Sequence, residues 1–216
     1  MNPAVSLVRA YFSVNGFFVE TEFPIVARAQ AAGVRSVTDI DLLAVRFPRA
    51  YRYVPEDARD AAESPSSRFR FLDPLLDLSG DDVEFFIGEV KEGRAELNRG
   101  SSDPNVLRAA LARFGAFSHD EISRVIDDLL HKGDSRAASG RRVRIVAVGS
   151  SVPDPPPAPC TILTHGQIVR HLLKIWEQHS EVARAMQFGD PSLATLMILL
   201  KSGVKIDVPE RKTSSE

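Results

Sequence analysis

Glu89 and Lys91 are the residues of this sequence whose types and spacing most directly suggest chemistry. They lie two positions apart in a stretch, residues 83–93, that is otherwise rich in Val, Phe and Ile. Because successive side chains of a strand point to opposite faces, this spacing places the carboxylate and the ammonium group on one face. In isolation, such a pair is more typical of a surface ion pair than of a catalytic site.

Further acidic residues lie on two preceding strand-like segments. These are residues 17–26, which carry Glu20 and Glu22, and residues 37–47, which carry Asp39 and Asp41. The alternation of side chains along a strand places each acidic pair on one face, and adjacent strands lie about 4.8 Å apart, so the carboxylates can converge if the strands pair in register. Crowded carboxylates repel one another unless a cation neutralises them, and Mg²⁺ does so with oxygen ligands while bridging to phosphate. The pattern therefore predicts a divalent metal site, with Lys91 placed to assist an attacking water and offset negative charge.

The composition limits the possible classes of function. The 216 residues, 44% hydrophobic and 26% charged, match one α/β domain with its own core and extensions. The net charge of −2 provides no overall basic field, so a phosphate partner requires a local patch. The single cysteine, Cys160, excludes an internal disulfide and a cysteine-rich zinc site, which fits a cytoplasmic protein. We expect no secretory signal, since the first residues lack a basic stretch followed by an apolar one. We expect no membrane span, since the late apolar run at residues 193–200 is far below the required ~20 residues.

Apolar periodicity and capping residues predict an α/β fold whose mixed sheet is flanked by helices. In chain order the predicted elements are a helix at 2–15, strands at 17–26, 37–47 and 83–93, helices opened by Asp103 and Ser118, and a strand at 141–150. The core is predicted to span residues 1–150, with a long excursion at 48–82. Residues 151–205 are predicted to be a Pro-linked extension with a short strand and helices, and residues 206–216 a disordered tail.

The segments TDIDLLAV, residues 38–45, and FFIGEVK, residues 85–91, follow a helix and a strand. Together they resemble the PD-(D/E)xK nuclease superfamily, which includes restriction endonucleases and archaeal Holliday-junction resolvases. The resemblance implies a restriction-endonuclease-like αβββαβ core and covers about residues 2–150.

The resemblance also implies roles for individual residues. By motif position, Asp41 and Glu89 resemble the metal-binding acidic residues, and Val90 resembles the residue whose carbonyl is a further ligand. Lys91 resembles the catalytic lysine. The implied cofactor is Mg²⁺ or Mn²⁺. Three additional acidic residues are candidates for outer or second-metal contacts: Glu20, Glu22 and Asp39.

Several arginines are candidate phosphate ligands. Those nearest the motif are Arg94, Arg99 and Arg108. A denser basic run leads into the strand at 141–150 and comprises Arg136, Arg141, Arg142 and Arg144. For both sets, an ordinary role as solvated arginines remains open.

Two functional hypotheses follow. The first is a Mg²⁺-dependent endo- or exonuclease that hydrolyses phosphodiester bonds, with DNA as the favoured substrate. The second keeps the fold without the reaction, as a nucleic-acid-binding or protein-interaction module of a larger repair or defence complex. It is favoured by the absence of any acidic residue at positions 2–15, where resolvase-like members carry a glutamate. In either case, the C-terminal helices are the predicted interface for a homodimer or a larger complex.

Overall fold

The structure is a computed structural model, and it describes residues 2–29, 33–54, 68–137, 140–156, 159–185 and 190–208. Within these ranges the helices are α1 (Pro3–Val14), α2 (Pro104–Phe114), α3 (His119–Lys132), α4 (His165–Gln178), α5 (Ser180–Ala185) and α6 (Pro191–Lys201). The strands are β1 (Phe18–Ala29), β2 (Gly33–Arg46), β3 (Arg52–Tyr53), β4 (Arg68–Phe69), β5 (Val83–Val90), β6 (Asp134–Ala137), β7 (Arg141–Gly149) and β8 (Thr161–Thr164). Single turns of 3-10 helix occur at Pro74–Leu76 and Gly100–Ser102.

Six strands form one mixed sheet in the order β1-β2-β5-β7-β6, with β8 also pairing with β7. β1, β2 and β5 are successively antiparallel, whereas β7 and β5 are parallel and are connected through α2 and α3. β3 and β4 form a separate hairpin. Because β5 and β7 are parallel, their carboxyl ends lie at the same edge of the sheet. The predicted mixed sheet flanked by helices is confirmed.

Each face of the sheet carries a hydrophobic core. On one face, α1 and α4 pack against the sheet through residues that include Tyr11, Phe12, Phe86, Ile168 and Leu172. On the other face, α2 and α3 pack through residues that include Phe85, Ile87, Leu107, Leu111, Ile126 and Leu129. Burying a side chain of this size contributes about 1.5–3 kcal/mol. The central strand β5 lies between the two cores, and residues 84–90 are all buried, which gives the end of this strand a fixed position.

The helix starts follow local capping signals. The Asn2 side chain accepts a hydrogen bond from the Ala4 amide, and Pro3 occupies the first helical position of α1. Capping boxes open α3 at Ser118 and α4 at Thr164, as the sequence predicts.

Two strands are longer than the sequence predicts, and one strand of the main sheet, β6, was not predicted. The predicted strands stop at Val26 and resume at Val37, whereas β1 continues to Ala29 and β2 begins at Gly33. This part of the hairpin has no buried face, so it lacks the hydrophobic alternation that marks a strand. β6 has only four residues at the sheet edge, and its sequence DSRA carries no β-branched or aromatic residue.

The segment after residue 150, predicted as an extension, is integral to the same sheet and core. β8 pairs in parallel with β7, and α4 packs with α1 in the first core. α6 buries Leu193 and Met197, while Ile198 remains 64% exposed. None of the described helices is long and apolar enough to cross a membrane. Residues 55–67 of the predicted excursion and residues 209–216 of the predicted tail lie outside the described residues.

A buried polar cluster connects α1, α4 and the segment before β5. The Tyr11 hydroxyl donates to Asp73 Oδ2 over 2.9 Å, and the Asp73 amide donates to Asn15 Oδ1 over 2.7 Å. His171 Nε2 lies 3.1 Å from the Phe71 carbonyl oxygen. Because a carbonyl can only accept, this contact places the imidazole proton on Nε2.

We expect this cluster to make the fold less stable in mild acid. Burial lowers the pKa of His171 below its usual 6.5; Asp73 opposes the shift and Lys174 adds to it. The unfolded chain therefore binds a proton first, so stability that is present above pH 6.5 is lost as the pH falls through the folded-state pKa. Each unit of depression corresponds to about 1.4 kcal/mol.

Urea unfolding midpoints at pH ~7.5 and ~5.5, on either side of the usual histidine pKa, measure this effect. His171→Gln retains a donor for the Phe71 carbonyl but cannot be protonated, so its midpoint should fall less than that of wild type. His119→Gln, at an exposed position in α3, is the matched control. An equal loss of stability in wild type and His171→Gln contradicts the assignment.

Candidate active site

Asp41 and Glu89 meet at the point where β2 and β5 stop pairing. The ladder between these strands extends from Arg46 opposite Glu84 to Leu42 opposite Gly88, so Asp41 and Glu89 are the next residues beyond it. Asp41 Oδ2 accepts a hydrogen bond from the Val90 amide over 2.8 Å. The side chain of Asp41 thus takes the place of a backbone acceptor at the end of the ladder.

Both carboxylate oxygens of Glu89 have partners. Lys91 Nζ lies 2.5 Å from Oε1, and the Ser101 hydroxyl donates to Oε2 over 3.0 Å. The Glu89 side chain is only 4% exposed, whereas that of Lys91 is 43% exposed. The two contacts therefore fix the orientation of the Glu89 carboxylate. The Lys91 ammonium group lies between this buried carboxylate and the solvent.

Negative charge is concentrated around this pair. Burial raises the pKa of Asp41, the hydrogen bond from the Val90 amide opposes this shift, and Glu89 and Asp39 raise the pKa further. The hydrogen bond to Glu89 raises the pKa of Lys91 despite partial burial, with Asp41 and Asp39 contributing. The site consists of three carboxylates around one ammonium group, which remains protonated at neutral pH.

The alternation of β1 and β2 is interrupted beside the site. Thr21 pairs with Leu42 and Phe23 with Ile40, which leaves Glu22 and Asp41 between the paired positions. Glu22 has a left-handed backbone, with φ of 55°. As a result, the odd-numbered Val19 and Phe23 pack into opposite cores. Ile40 and Leu42 of β2 likewise pack into opposite cores. The prediction that Glu20 and Glu22, and Asp39 and Asp41, each share one face is therefore wrong.

The additional acidic candidates have different environments. Asp39 is exposed yet acts electrostatically on Asp41 and Lys91. Glu20 is engaged by Arg113 of α2, with contacts of 2.9 and 3.2 Å. Glu22 is exposed at the irregular position of β1. Of the three additional acidic candidates, Asp39 is thus the one whose charge acts on Asp41 and Lys91.

The three arginines nearest the motif also differ. Arg94 forms a 3.2 Å ion pair with Glu96, and Arg108 approaches the Ser123 hydroxyl at 3.5 Å. Arg99 is exposed and directly precedes the 3-10 turn that carries Ser101. Arg99 is therefore the candidate that adjoins the turn whose Ser101 hydroxyl binds Glu89.

The denser basic run makes ion pairs at the opposite end of β7. The pairs are Arg136 with Asp82 (3.6 Å), Arg141 with Glu121 (2.7 Å), Arg142 with Asp134 (2.6 Å) and Arg144 with Glu84 (2.8 Å). Arg136 and Arg142 also line a groove of about 610 Å³ between α3, β6 and β7. These arginines are largely neutralised by neighbouring carboxylates.

Ser101 and Asn98 are site residues that the sequence reasoning missed. Asn98 Oδ1 accepts from the Ser101 amide over 2.7 Å and lies 3.0 Å from the Ser101 hydroxyl oxygen, whose single proton is donated to Glu89. An asparagine followed by Arg-Gly-Ser is a recognisable turn signal. That signal identifies the turn but does not show that it contacts Glu89.

The carboxylate and carbonyl oxygens of Asp41, Glu89 and Val90 are ligands of the chemical type that a hard divalent cation prefers. Among the residues that the structure describes, no three His, Cys, Asp or Glu side chains are arranged to hold a metal ion. The candidate set is instead two carboxylates, from Asp41 and Glu89, and the Val90 carbonyl. Their oxygen chemistry and the excess of negative charge suit Mg²⁺ or Mn²⁺. Comparisons of this chain with protein-family models, with curated proteins and with solved structures found no match.

Proposed function

We propose that this protein is a Mg²⁺- or Mn²⁺-dependent nuclease that hydrolyses phosphodiester bonds in DNA. The observation that supports this function is the buried Glu89 carboxylate, which lies beside Asp41 and is bound by Lys91. Besides the β3–β4 hairpin and the short edge strand β6, the elements before residue 150 are a helix, three successively antiparallel strands, two helices and a strand parallel to β5. This order supports the proposal of a restriction-endonuclease-like core.

Each residue of the site has a defined part in this proposal. Asp41, Glu89 and the Val90 carbonyl would hold the ion, which when bound supplies positive charge to the phosphate and lowers the pKa of water. The protonated, solvent-facing Lys91 donates to a phosphate oxygen and offsets the charge that develops during hydrolysis. Ser101 keeps the Glu89 carboxylate in a single orientation through its hydrogen bond to Oε2.

A second candidate function is a nuclease-like binding module without catalysis. α1 begins beside the site, since Asn2 Nδ2 donates to Glu92 Oε1 over 3.2 Å, and Glu92 directly follows Lys91. Residues 2–15 nevertheless contain no acidic residue that could add a ligand. This observation favours the inactive module, which would bind nucleic acid or a protein partner.

We expect millimolar Mg²⁺ or Mn²⁺ to raise the melting temperature of the wild-type protein but not of Glu89→Ala. An ion at 100 times its Kd stabilises the folded state by about 2.7 kcal/mol, which corresponds to several degrees for a chain of this size, at roughly 2–4 °C per kcal/mol. Differential scanning calorimetry with and without the ion measures the shift.

Glu20→Ala is the matched control, because it also removes a carboxylate from the β-sheet but one that Arg113 engages. The control should retain the metal-dependent shift. Cleavage of labelled DNA is measured on the same samples. A shift without cleavage favours the binding module, and a shift of equal size in Glu89→Ala excludes Glu89 as a ligand.

A further inference from the structure

The hairpin of β1 and β2 extends beyond the rest of the sheet as a two-stranded ribbon. Ile25, which pairs with Thr38, is the last buried residue of β1 at 7% exposure. Beyond this pair, residues 26–28 and 33–37 are all exposed. These residues form the part of the hairpin that we call the ribbon. The pairing register shifts between Ile25 and Val26, which marks a bulge at the base of the ribbon.

The ribbon begins at the candidate active site. Asp39, which pairs with Pro24, follows the ribbon by two positions, and Asp41 follows by four. At the base, the Thr38 side chain lies against Gly100, in the same turn as Ser101. β5 pairs with β2 only from Leu42 onwards. The ribbon therefore extends away from the site without pairing with β5.

The side chains of the ribbon combine positive charge with exposed apolar area. The sequence has no acidic residue between Glu22 and Asp39, while the ribbon contains Arg28 and Arg35. Val26, Val34 and Val37 are 60%, 65% and 52% exposed. The pairing of Val26 with Ser36 and of Val34 with Arg28 places these two valines on one face of the ribbon, and exposed apolar residues that share a face typically mark an interaction surface. In a chain with a net charge of −2, this local excess of positive charge complements a polyanion.

The two arginines lie on opposite faces of the ribbon. Arg28 pairs with Val34, and Arg35 pairs with Ala27, the neighbour of Arg28. Adjacent positions of a strand face opposite sides, so each face of the ribbon carries one guanidinium group. Two strands about 4.8 Å apart fit a major groove about 12 Å wide, where guanidinium groups on both faces can reach opposite walls.

We infer that the ribbon enters the major groove of a double-stranded nucleic acid whose phosphate backbone lies at the Asp41–Glu89 site. The inference rests on the proposed function and specifies its substrate class as a duplex. A single strand offers no groove, so the ribbon distinguishes the two forms through shape and charge. Phosphate contacts of its arginines place the duplex relative to the site.

Equilibrium binding tests the inference with the protein carrying Lys91→Ala, a substitution that is expected to slow cleavage. Fluorescence anisotropy in Ca²⁺ compares a labelled DNA duplex of ~30 base pairs, long enough for several phosphate contacts, with one of its strands. The test variant is Arg28→Ser with Arg35→Ser. The matched control, Lys201→Ser with Lys205→Ser, removes the same charge from exposed positions at the other end of the chain. Melting temperatures verify that all variants fold.

We expect the arginine variant to bind the duplex at least about tenfold more weakly and to lower the salt slope of duplex binding by up to about 2. Its affinity for the single strand should change by less than about threefold, a change of under 1 kcal/mol. The lysine control should bind both as the background protein does. An unchanged duplex affinity, or an equal loss for both nucleic acids, overturns the inference.

Sedimentation of the same variants tests a second copy of this chain as the occupant of the ribbon. If the arginine variant converts a dimer into a monomer while duplex affinity is unchanged, the ribbon binds another copy and the inference is overturned. If the background protein binds neither nucleic acid, the proposed function fails as well. The Arg28→Ser, Arg35→Ser variant is also prepared with Lys91 in place. If this variant loses its preference for the duplex but still cleaves DNA in a metal-dependent way, both proposals are supported.

Discussion

Lys91→Ala is expected to lower the rate of DNA cleavage by about 10²–10⁴-fold, the range typical of a lost electrostatic or proton-transferring group. The ammonium group lies 2.5 Å from the buried Glu89 carboxylate and is 43% exposed. It is therefore the positive charge of the site that can contact both the protein and a phosphate. Single-turnover cleavage of a labelled duplex at saturating Mg²⁺ measures the loss without interference from product release.

Two substitutions define the origin of that loss. Lys91→Arg keeps the positive charge but replaces the compact ammonium group with a larger, planar guanidinium group, so partial cleavage activity is expected. Lys132→Ala removes a lysine whose side chain is 70% exposed on α3 and should cleave as wild type does. Cleavage by Lys91→Ala at the wild-type rate excludes Lys91 from the reaction, provided its melting temperature shows a folded protein.

The sequence predicts the helix ends because the determinants are local. Asn2 with Pro3, and Ser118 with Glu121, each lie within one turn of the amide groups that they cap. The course of β1 at Glu22 depends on a positive φ angle in a non-glycine residue, which no residue pattern reveals. Consequently, the strand was predictable but the direction of its side chains beyond Thr21 was not.

The same distinction applies to the candidate site. The spacing of Glu89 and Lys91 predicts that their side chains share a face, because a strand has a period of two, and the structure adds that the two groups are in contact. The contact of Ser101 with Glu89 depends on how the loop after β5 folds back, and the contact between the Val90 amide and Asp41 depends on where the β2–β5 ladder ends. Both are tertiary features, and both determine the orientation of the carboxylates.

The ribbon shows where hydrophobic patterning fails. Residues 26–28 and 33–37 are exposed on both faces of the hairpin, so no buried face imposes an alternation of apolar and polar residues on the sequence. β8 and α4 were predicted individually, but their place in the main sheet and first core follows from pairing with β7. Proline-rich composition at residues 152–159 suggests a spacer and carries no information on this pairing.

Glu84→Gln is expected to destabilise the fold by about 3–5 kcal/mol, the range for breaking a buried ion pair by removing one partner. Glu84 is fully buried at 0% exposure, and its Oε2 accepts from Arg144 over 2.8 Å while Oε1 accepts from the Ser79 amide over 2.8 Å. Glutamine keeps the shape and an acceptor for the Ser79 amide. The loss therefore arises from the positive charge of Arg144, which remains buried over the ring of Phe86.

Urea unfolding measures this loss, and a double variant shows its cause. Arg144→Met in the Glu84→Gln background removes the uncompensated charge and should recover part of the lost stability, because an apolar side chain of similar volume can replace a buried ion. Asp128→Asn, which removes the partner of the exposed Lys132, is the control for an ordinary surface pair and should shift the midpoint far less. If Glu84→Gln unfolds at the same urea concentration as this control, the ion pair does not stabilise the end of the sheet opposite the active site. If the double variant is no more stable than Glu84→Gln alone, the loss comes from packing around Glu84 and not from the unpaired charge of Arg144.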